Sequence, residues 1–143
     1  MNSVDPGSRP LLVVDGANVV GSVPDGWWRD RRGAAERLRD RLAVTGGPVD
    51  APYPGPYEIV LVVEGRARGV ASVPGVRVEE ATGSGDDLIA ELAELAARAN
   101  ARPCLVVTAD RELRRRAEAA GARCVGPRSL PKPLPGPPAQ EGS

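Results

Sequence analysis

Four acidic stretches of this chain sit where side-chain chemistry is commonly built, directly after short apolar runs or at the start of a helical pattern. Asp15 lies in Val14-Asp15-Gly16-Ala17-Asn18, Glu64 in Val63-Glu64-Gly65 and Asp110 in Thr108-Ala109-Asp110, while Asp86 and Asp87 follow Gly83-Ser84-Gly85. Each has an ordinary structural use. Asp15 and Asn18 can shape a turn, Ser84 can cap a helix whose first turn accommodates Asp86 and Asp87, and Asp110 can itself be an N-cap. Taken together they predict more, because ionised carboxylates brought to one rim repel one another unless a cation lies between them. Oxygen donors without His or Cys select Mg²⁺ or Mn²⁺ in octahedral geometry, completed by water and substrate phosphate. Such an ion acidifies a bound water, orients it for in-line attack on phosphorus and offsets charge on the leaving oxygen, so phosphodiester hydrolysis is the chemistry this set predicts.

Composition removes most alternatives. The 143 residues contain no His, which excludes Ser/His/Asp and Cys/His nucleophilic catalysis and imidazole acid–base chemistry. Two cysteines, Cys104 and Cys124, are too few for a closed zinc site and read as reduced core residues on neighbouring strands. Nineteen basic residues balance nineteen acidic ones, so any contact with nucleic acid has to be local rather than a basic stripe. All but one of the basic residues are Arg, a bias that a GC-rich coding sequence accounts for, although Arg also binds phosphate bidentately. No apolar run has signal-peptide or membrane-span length, and a cytoplasmic location is expected.

The elements that must position the acids are legible as alternating patterns. Five short β-type runs occur at Leu11–Val14, Glu58–Val63, Val76–Val78, Cys104–Thr108 and Arg123–Val125. Three helical patterns lie between them: Arg29–Ala43 with Ala34, Ala35, Leu38 and Leu42 on one face; Asp86–Ala99 with Leu88, Ile89, Leu92, Leu95, Ala96 and Ala99; and Arg111–Ala120 with Leu113, Ala117 and Ala120. Strands that are apolar throughout and alternate with helices predict a mainly parallel sheet covered on both faces, an α/β sandwich of one domain. In such a sheet ligands gather beyond the carboxyl ends of the strands, which is where the acidic exits fall. Thr45 to Pro56, with four prolines and three glycines, reads as a long surface loop. The domain is expected over residues 1–126, and residues 127–143, rich in proline, as a disordered or extended tail, a plain linker or a ligand for a proline-binding partner.

Three segments, in this order and spacing, resemble the NYN branch of the PIN-like nucleases: Leu12-Val13-Val14-Asp15-Gly16-Ala17-Asn18-Val19-Val20, Gly85-Asp86-Asp87-Leu88-Ile89, and Val106-Val107-Thr108-Ala109-Asp110-Arg111-Glu112-Leu113. The resemblance spans roughly residues 10 to 126. It implies a three-layer Rossmann-like fold with strand order 3-2-1-4-5, an acidic cluster binding Mg²⁺ or Mn²⁺, and hydrolysis of RNA. Carried over position by position, it makes Asp15, Asp86 and Asp110 the metal-site aspartates and Asn18 the residue that orients a carboxylate or a water. Asp87, and after it Glu64, are the candidates for a fourth ligand.

Substrate contacts are expected from Asp25-Gly26-Trp27-Trp28-Arg29-Asp30-Arg31-Arg32, where an indole can stack on an unpaired base of single-stranded or loop RNA and Arg29 or Arg31 can pair with phosphate. The structural alternative is that one Trp plugs the sheet edge. Arg111, beside Asp110, can reach a phosphate, while Arg114, Arg115 and Arg116 read as a solvated helix face. Two rivals to a ribonuclease belong to other classes. One is an RNA- or protein-binding module on the same fold, docking through its tail; the other is a nucleotide or phosphomonoester hydrolase. The second is disfavoured by the absence of a Lys-bearing P-loop and by Ala17, which occupies the position where phosphoaspartate enzymes place a second Asp. Oligomeric state is left open.

Overall fold

The computed structural model describes residues 9–22, 26–99 and 102–131. Strands β1 (Leu11–Asp15), β2 (Glu58–Val63), β3 (Val76–Glu80), β4 (Cys104–Val107) and β5 (Arg123–Val125) form one sheet in the order β3-β2-β1-β4-β5, and every neighbouring pair is parallel. Helices α1 (Gly16–Gly21), α2 (Arg31–Thr45), α3 (Gly85–Arg98) and α4 (Arg111–Ala119) cover it. This is the three-layer Rossmann-like arrangement, in the strand order expected from the sequence.

Alternation along the strands feeds two cores. Leu12, Val14, Leu61, Val63, Leu105 and Val107 pack with Val19 of α1 and with Ala35, Leu38 and Leu42 of α2. Leu11, Val13, Val60, Val62 and Val106 pack on the opposite face with Ile89, Ala93 and Ala96 of α3 and Leu113 and Ala117 of α4. Both faces are buried at the central strands, so β1, β2 and β4 carry no polar alternation, the pattern expected of a parallel sheet, while the edge strand β3 keeps Arg77 and Glu79. The α2 stripe agrees with its predicted residues, all four of which are buried. The α3 stripe differs. Leu95 and Ala99 face solvent, Leu88 and Leu92 lie at the flank, and the buried line runs through Ile89, Ala90, Ala93 and Ala96. Small residues let this helix lie close on the strands, and closeness outweighs the larger apolar area that a leucine face offers.

Helix α1 has no counterpart among the predicted helices. Asp15 ends β1 and caps α1 at once, and the turn is possible only because residue 16 is glycine: a Cβ there would stand 2.5 Å from the Val62 carbonyl oxygen. Asp30, Ser84 and Asp110 cap α2, α3 and α4 by accepting from Gly33, Asp86 and Leu113 amides. The loop between α2 and β2 is not wholly on the surface, since Gly47 and Pro48 are buried and Tyr57 closes over it, its hydroxyl donating to the Tyr53 carbonyl.

The ordered chain continues beyond the predicted boundary at residue 126. Pro127–Ser129 form a short 3-10 turn, and Leu130 is buried in the core shared with α2. Arg41 of α2 holds the segment by donating from Nε to the Pro131 carbonyl at 3.0 Å and from Nη2 to that of Leu130 at 3.2 Å. A single leucine side chain anchors residues that composition alone assigns to the tail. The rest of that tail, from residue 132, lies outside the described residues, as does Asp25. No helix among the described residues is long and apolar enough to cross a membrane.

Candidate acidic site and adjoining cleft

In this sheet the strand order reverses between β1 and β4, and the crevice beyond their carboxyl ends is the place where open α/β sheets hold ligands. Asp15 closes β1, and Thr108, Ala109 and Asp110 follow β4 directly, so both acids reach this crevice from adjacent strands. A hydroxyl joins them. Thr108, fully buried, donates from Oγ1 to Asp15 Oδ2 at 2.8 Å and accepts the Asp110 amide at 3.1 Å. Asn18 ties the same loop to α1: its Oδ1 accepts the Ala109 amide at 2.8 Å, while its own amide donates to Asp15 Oδ1 at 3.4 Å. Asn18 therefore positions the β4–α4 connection through Ala109 and meets a carboxylate only through its backbone.

Asp86 enters from the first turn of α3, and Glu64 from the end of β2. Gly85 lets them approach, since a Cβ at residue 85 would stand 2.8 Å from Glu64 Oε2. The resulting electrostatics are those of crowded acids. Asp15, 5 % exposed, has its carboxyl pushed up to about 6, chiefly by burial, against which the Thr108 and Asn18 hydrogen bonds act, with the Asp86 and Glu64 charges raising it further. Asp86 is also raised, by burial first, then by the Asp110 and Glu64 charges, with Arg116 opposing. Asp15, Glu64, Asp86 and Asp110 thus form one electrostatic neighbourhood at the rim.

Asp87 adds its charge to that of Asp86 but does not turn its carboxylate to the crevice. It points outward, 74 % exposed, to an ion pair with Arg116 at 3.0 Å. The sequence ranks Asp87 above Glu64; the fold reverses that order, because adjacent residues at a helix start point about 100° apart and only one can face the crevice. Among the described residues, no three acidic or thiol side chains are arranged as they stand to hold a metal ion. Asp110 Oδ1 is committed to the Leu113 amide at 3.0 Å, and both Asp15 oxygens accept hydrogen bonds. In donor chemistry, an all-oxygen acidic set at a strand-end crevice, the residues fit a hard dication. The arginines predicted to be a solvated face also differ: Arg116 pairs with Asp87, and Arg114 reaches back to the Thr108 and Cys124 carbonyls at 3.3 and 3.5 Å. Arg115 pairs loosely with Glu112, and Arg111 is exposed beside the site.

The tryptophans divide their roles. Trp27 is half-buried and packs toward Gly21 of α1, with the Arg31 guanidinium 5.2 Å from its ring centre. Trp28 is 53 % exposed, edge-on to Trp27 at 6.0 Å and covered by Arg29 at 5.7 Å. Trp27 and Arg31 line a cleft of about 310 Å³ together with Val63, Glu64, Gly65 and Gly16, the residue that follows Asp15. The cysteines lie on one face of the sheet as free thiols, Cys104 buried and pushed up to about 12 by burial, the Cys124 charge adding to it, and so unreactive. Thr108 is the site residue that sequence reasoning gave no role; a hydroxyl closing an apolar strand two residues before an acid is the signal that marks it.

No protein-family profile and no curated protein sequence matches the chain. Two solved structures of Rae1 (YacP) from Bacillus subtilis do, both at 22 % identity. The unmodified protein superposes with a TM-score of 0.65 over 84 % of this chain and 70 % of that one. A tryptophan-to-leucine mutant of it superposes with a TM-score of 0.63 over 85 % and 72 %. At this identity the likeness establishes the shared fold.

Proposed function

We propose that this chain is a divalent-metal-dependent ribonuclease that hydrolyses RNA at the crevice beyond β1 and β4, with Asp15, Asp86 and Asp110 holding Mg²⁺ or Mn²⁺. The observation that carries the reading is the electrostatic state of Asp15. A carboxyl that burial pushes up to about 6, with the Asp86 and Glu64 charges adding to it, is a group that gains most from a cation beside it. The strand order, which reverses between β1 and β4, supports the placement of such chemistry at this edge, where open α/β sheets hold their ligands.

Asp15, Asp86 and Asp110 would hold the dication, which when bound would supply Lewis acidity for phosphodiester hydrolysis. The protein's own groups do the rest. Thr108 and the Asn18 amide fix the Asp15 carboxylate in one orientation, and Asn18 fixes the loop that carries Asp110. Asp110 keeps Oδ2 for a ligand while Oδ1 caps α4. Arg111, exposed at the start of α4, and Arg31, at the cleft, are placed to pair with phosphates of a single strand.

Purified protein with Mn²⁺ is expected to cleave single-stranded or loop RNA, and Asp15→Asn and Asp110→Asn are each expected to abolish cleavage. Undiminished cleavage in both variants removes the proposal. The rival reading, an RNA- or protein-binding module without catalysis, is favoured by one observation, the engagement of Asp110 and Asp87 in a cap and an ion pair. Calorimetry separates them, since a binding module titrates RNA equally with and without divalent metal.

A further inference from the structure

We infer that Arg68 is a positioning residue of the acidic site: its guanidinium fastens the β3–α3 connection, and through it Asp86, to the loop that carries Glu64. Its purpose rests on the ribonuclease reading, whereas the contact itself needs no metal. Asp15 and Asp110 stand at the ends of the central strands β1 and β4, where Thr108 and Asn18 bind the two strand exits together. Asp86 has no such frame. It follows β3, the edge strand, which pairs in the sheet with β2 alone. Only Ala81, Thr82, Gly83 and Ser84 lie between that strand and α3; the last three are exposed, and a Cβ at Gly83 would meet nothing within 4 Å.

The loop leaving β2 supplies the missing support. Arg68 donates from Nη2 to the Ala81 carbonyl at 3.0 Å and to the Thr82 carbonyl at 3.1 Å, and no other described side chain outside the connection donates to it. The next residue adds to the hold: the Gly69 amide donates to Glu80 Oε2 at 2.6 Å. Glu64 and Arg68 flank the 3-10 turn Gly65–Ala67, and the Glu64 carboxylate stands against Gly85. One loop therefore meets the connection before Ser84, through Arg68, and after it, through Glu64. Released at Ala81 and Thr82, a connection with glycines at residues 83 and 85 regains backbone freedom, and Asp86 loses its fixed place beside Asp15.

The test compares the full wild-type chain with Arg68→Met, which keeps the apolar stem, with Arg68→Lys, which restores a donor, and with Arg39→Met. Arg39 donates to the Ala71 carbonyl at 2.9 Å on the same β2–β3 connection and has no bond to residues 81–86, so its variant reports general loosening. Hydrogen exchange is read by mass spectrometry in EDTA, and Mn²⁺ uptake by the electron paramagnetic resonance of the free ion, at a temperature where circular dichroism shows every variant folded. Amides of residues 81–87 are expected to exchange about 10-fold faster in Arg68→Met and at wild-type rates in the other two variants. Mn²⁺ should bind Arg68→Met about 10-fold more weakly, with wild-type affinity in Arg68→Lys and Arg39→Met. Unchanged exchange at 81–87, or unchanged Mn²⁺ affinity beside faster exchange, overturns the inference. Equal weakening in Arg39→Met, or an Arg68→Met chain that does not fold, makes Arg68 a general structural support and also overturns it. Absence of Mn²⁺ uptake by the wild type counts against the metal-dependent ribonuclease, and the exchange rates in EDTA then decide by themselves whether Arg68 holds the connection.

Discussion

Replacing Asp15 with Asn should stabilise the protein at neutral pH and destabilise it in acid, and the crossing is the diagnostic feature. In the native state burial and the Asp86 and Glu64 charges raise the Asp15 carboxyl from 3.8 to about 6. Between these two values the unfolded chain releases a proton that the native protein retains, so stability falls as pH rises through the window. Above the native value the full penalty is present, roughly 3 kcal/mol for a shift of about two units. Asn carries no charge and escapes it. It keeps the Thr108 hydrogen bond through its carbonyl but turns its amide toward the Asn18 N–H, losing a long contact worth about 1 kcal/mol. The net expectation at pH 7.5 is a variant more stable by about 2 kcal/mol, a rise in Tm of roughly 5–10 °C for a domain of this size. Near pH 4, where wild-type Asp15 is protonated, the variant should melt slightly below wild type. Thermal unfolding by circular dichroism at half-unit steps from pH 4 to 8 in EDTA measures the difference curve, in which the other carboxylates largely cancel. With Mn²⁺ at pH 7.5 only the wild type should gain stability. A Tm difference independent of pH, or a variant less stable at pH 7.5, refutes the account of Asp15 as a buried, repelled carboxylate.

Thr108→Val should raise the Asp15 carboxyl above about 6, since it removes the hydroxyl that stabilises the anion, and should cost about 2–3 kcal/mol by leaving the Asp110 amide without its acceptor; Thr108→Ser should restore both, read from the same pH-dependent melting. Gly16→Ala should destabilise by about 1–3 kcal/mol or more because its Cβ meets the Val62 backbone, whereas Gly85→Ala should be nearly neutral because its Cβ meets only the movable end of Glu64; urea unfolding compares the two. Leu130→Ala should lower urea stability by about 2–4 kcal/mol, the cost of a buried leucine.

Much of the architecture was legible because its signals are local. Apolar runs of strand length, stripes at helical spacing and the capping residues Ser84 and Asp110 each act within a few neighbours, and the strands and long helices fall within a few residues of their predicted limits. Helix α1 escaped because a six-residue helix has almost no periodicity of its own. It exists where Gly16 allows close approach to β2, a contact with a residue 46 positions away in the chain. Leu130 escaped for the converse reason. One apolar residue in a proline-rich run carries little weight by composition, yet the space beside α2 gives it a core site and Arg41 gives its backbone donors.

The candidate site divides along the same line. Sequence alone determined the element types, a sheet buried on both faces, the exclusion of imidazole chemistry and the position of acids at strand exits, because periodicity and residue type are properties of the chain itself. Tertiary structure decided which of those acids share a neighbourhood: Glu64 faces Asp15 and Asp86 while Asp87 turns to Arg116, and Trp27 rather than Trp28 lines the cleft. It also made Thr108 a bridge between two strand ends. Such partnerships follow from strand register and the rotation of each helix about its axis, where a step of one residue turns a side chain from the crevice toward solvent.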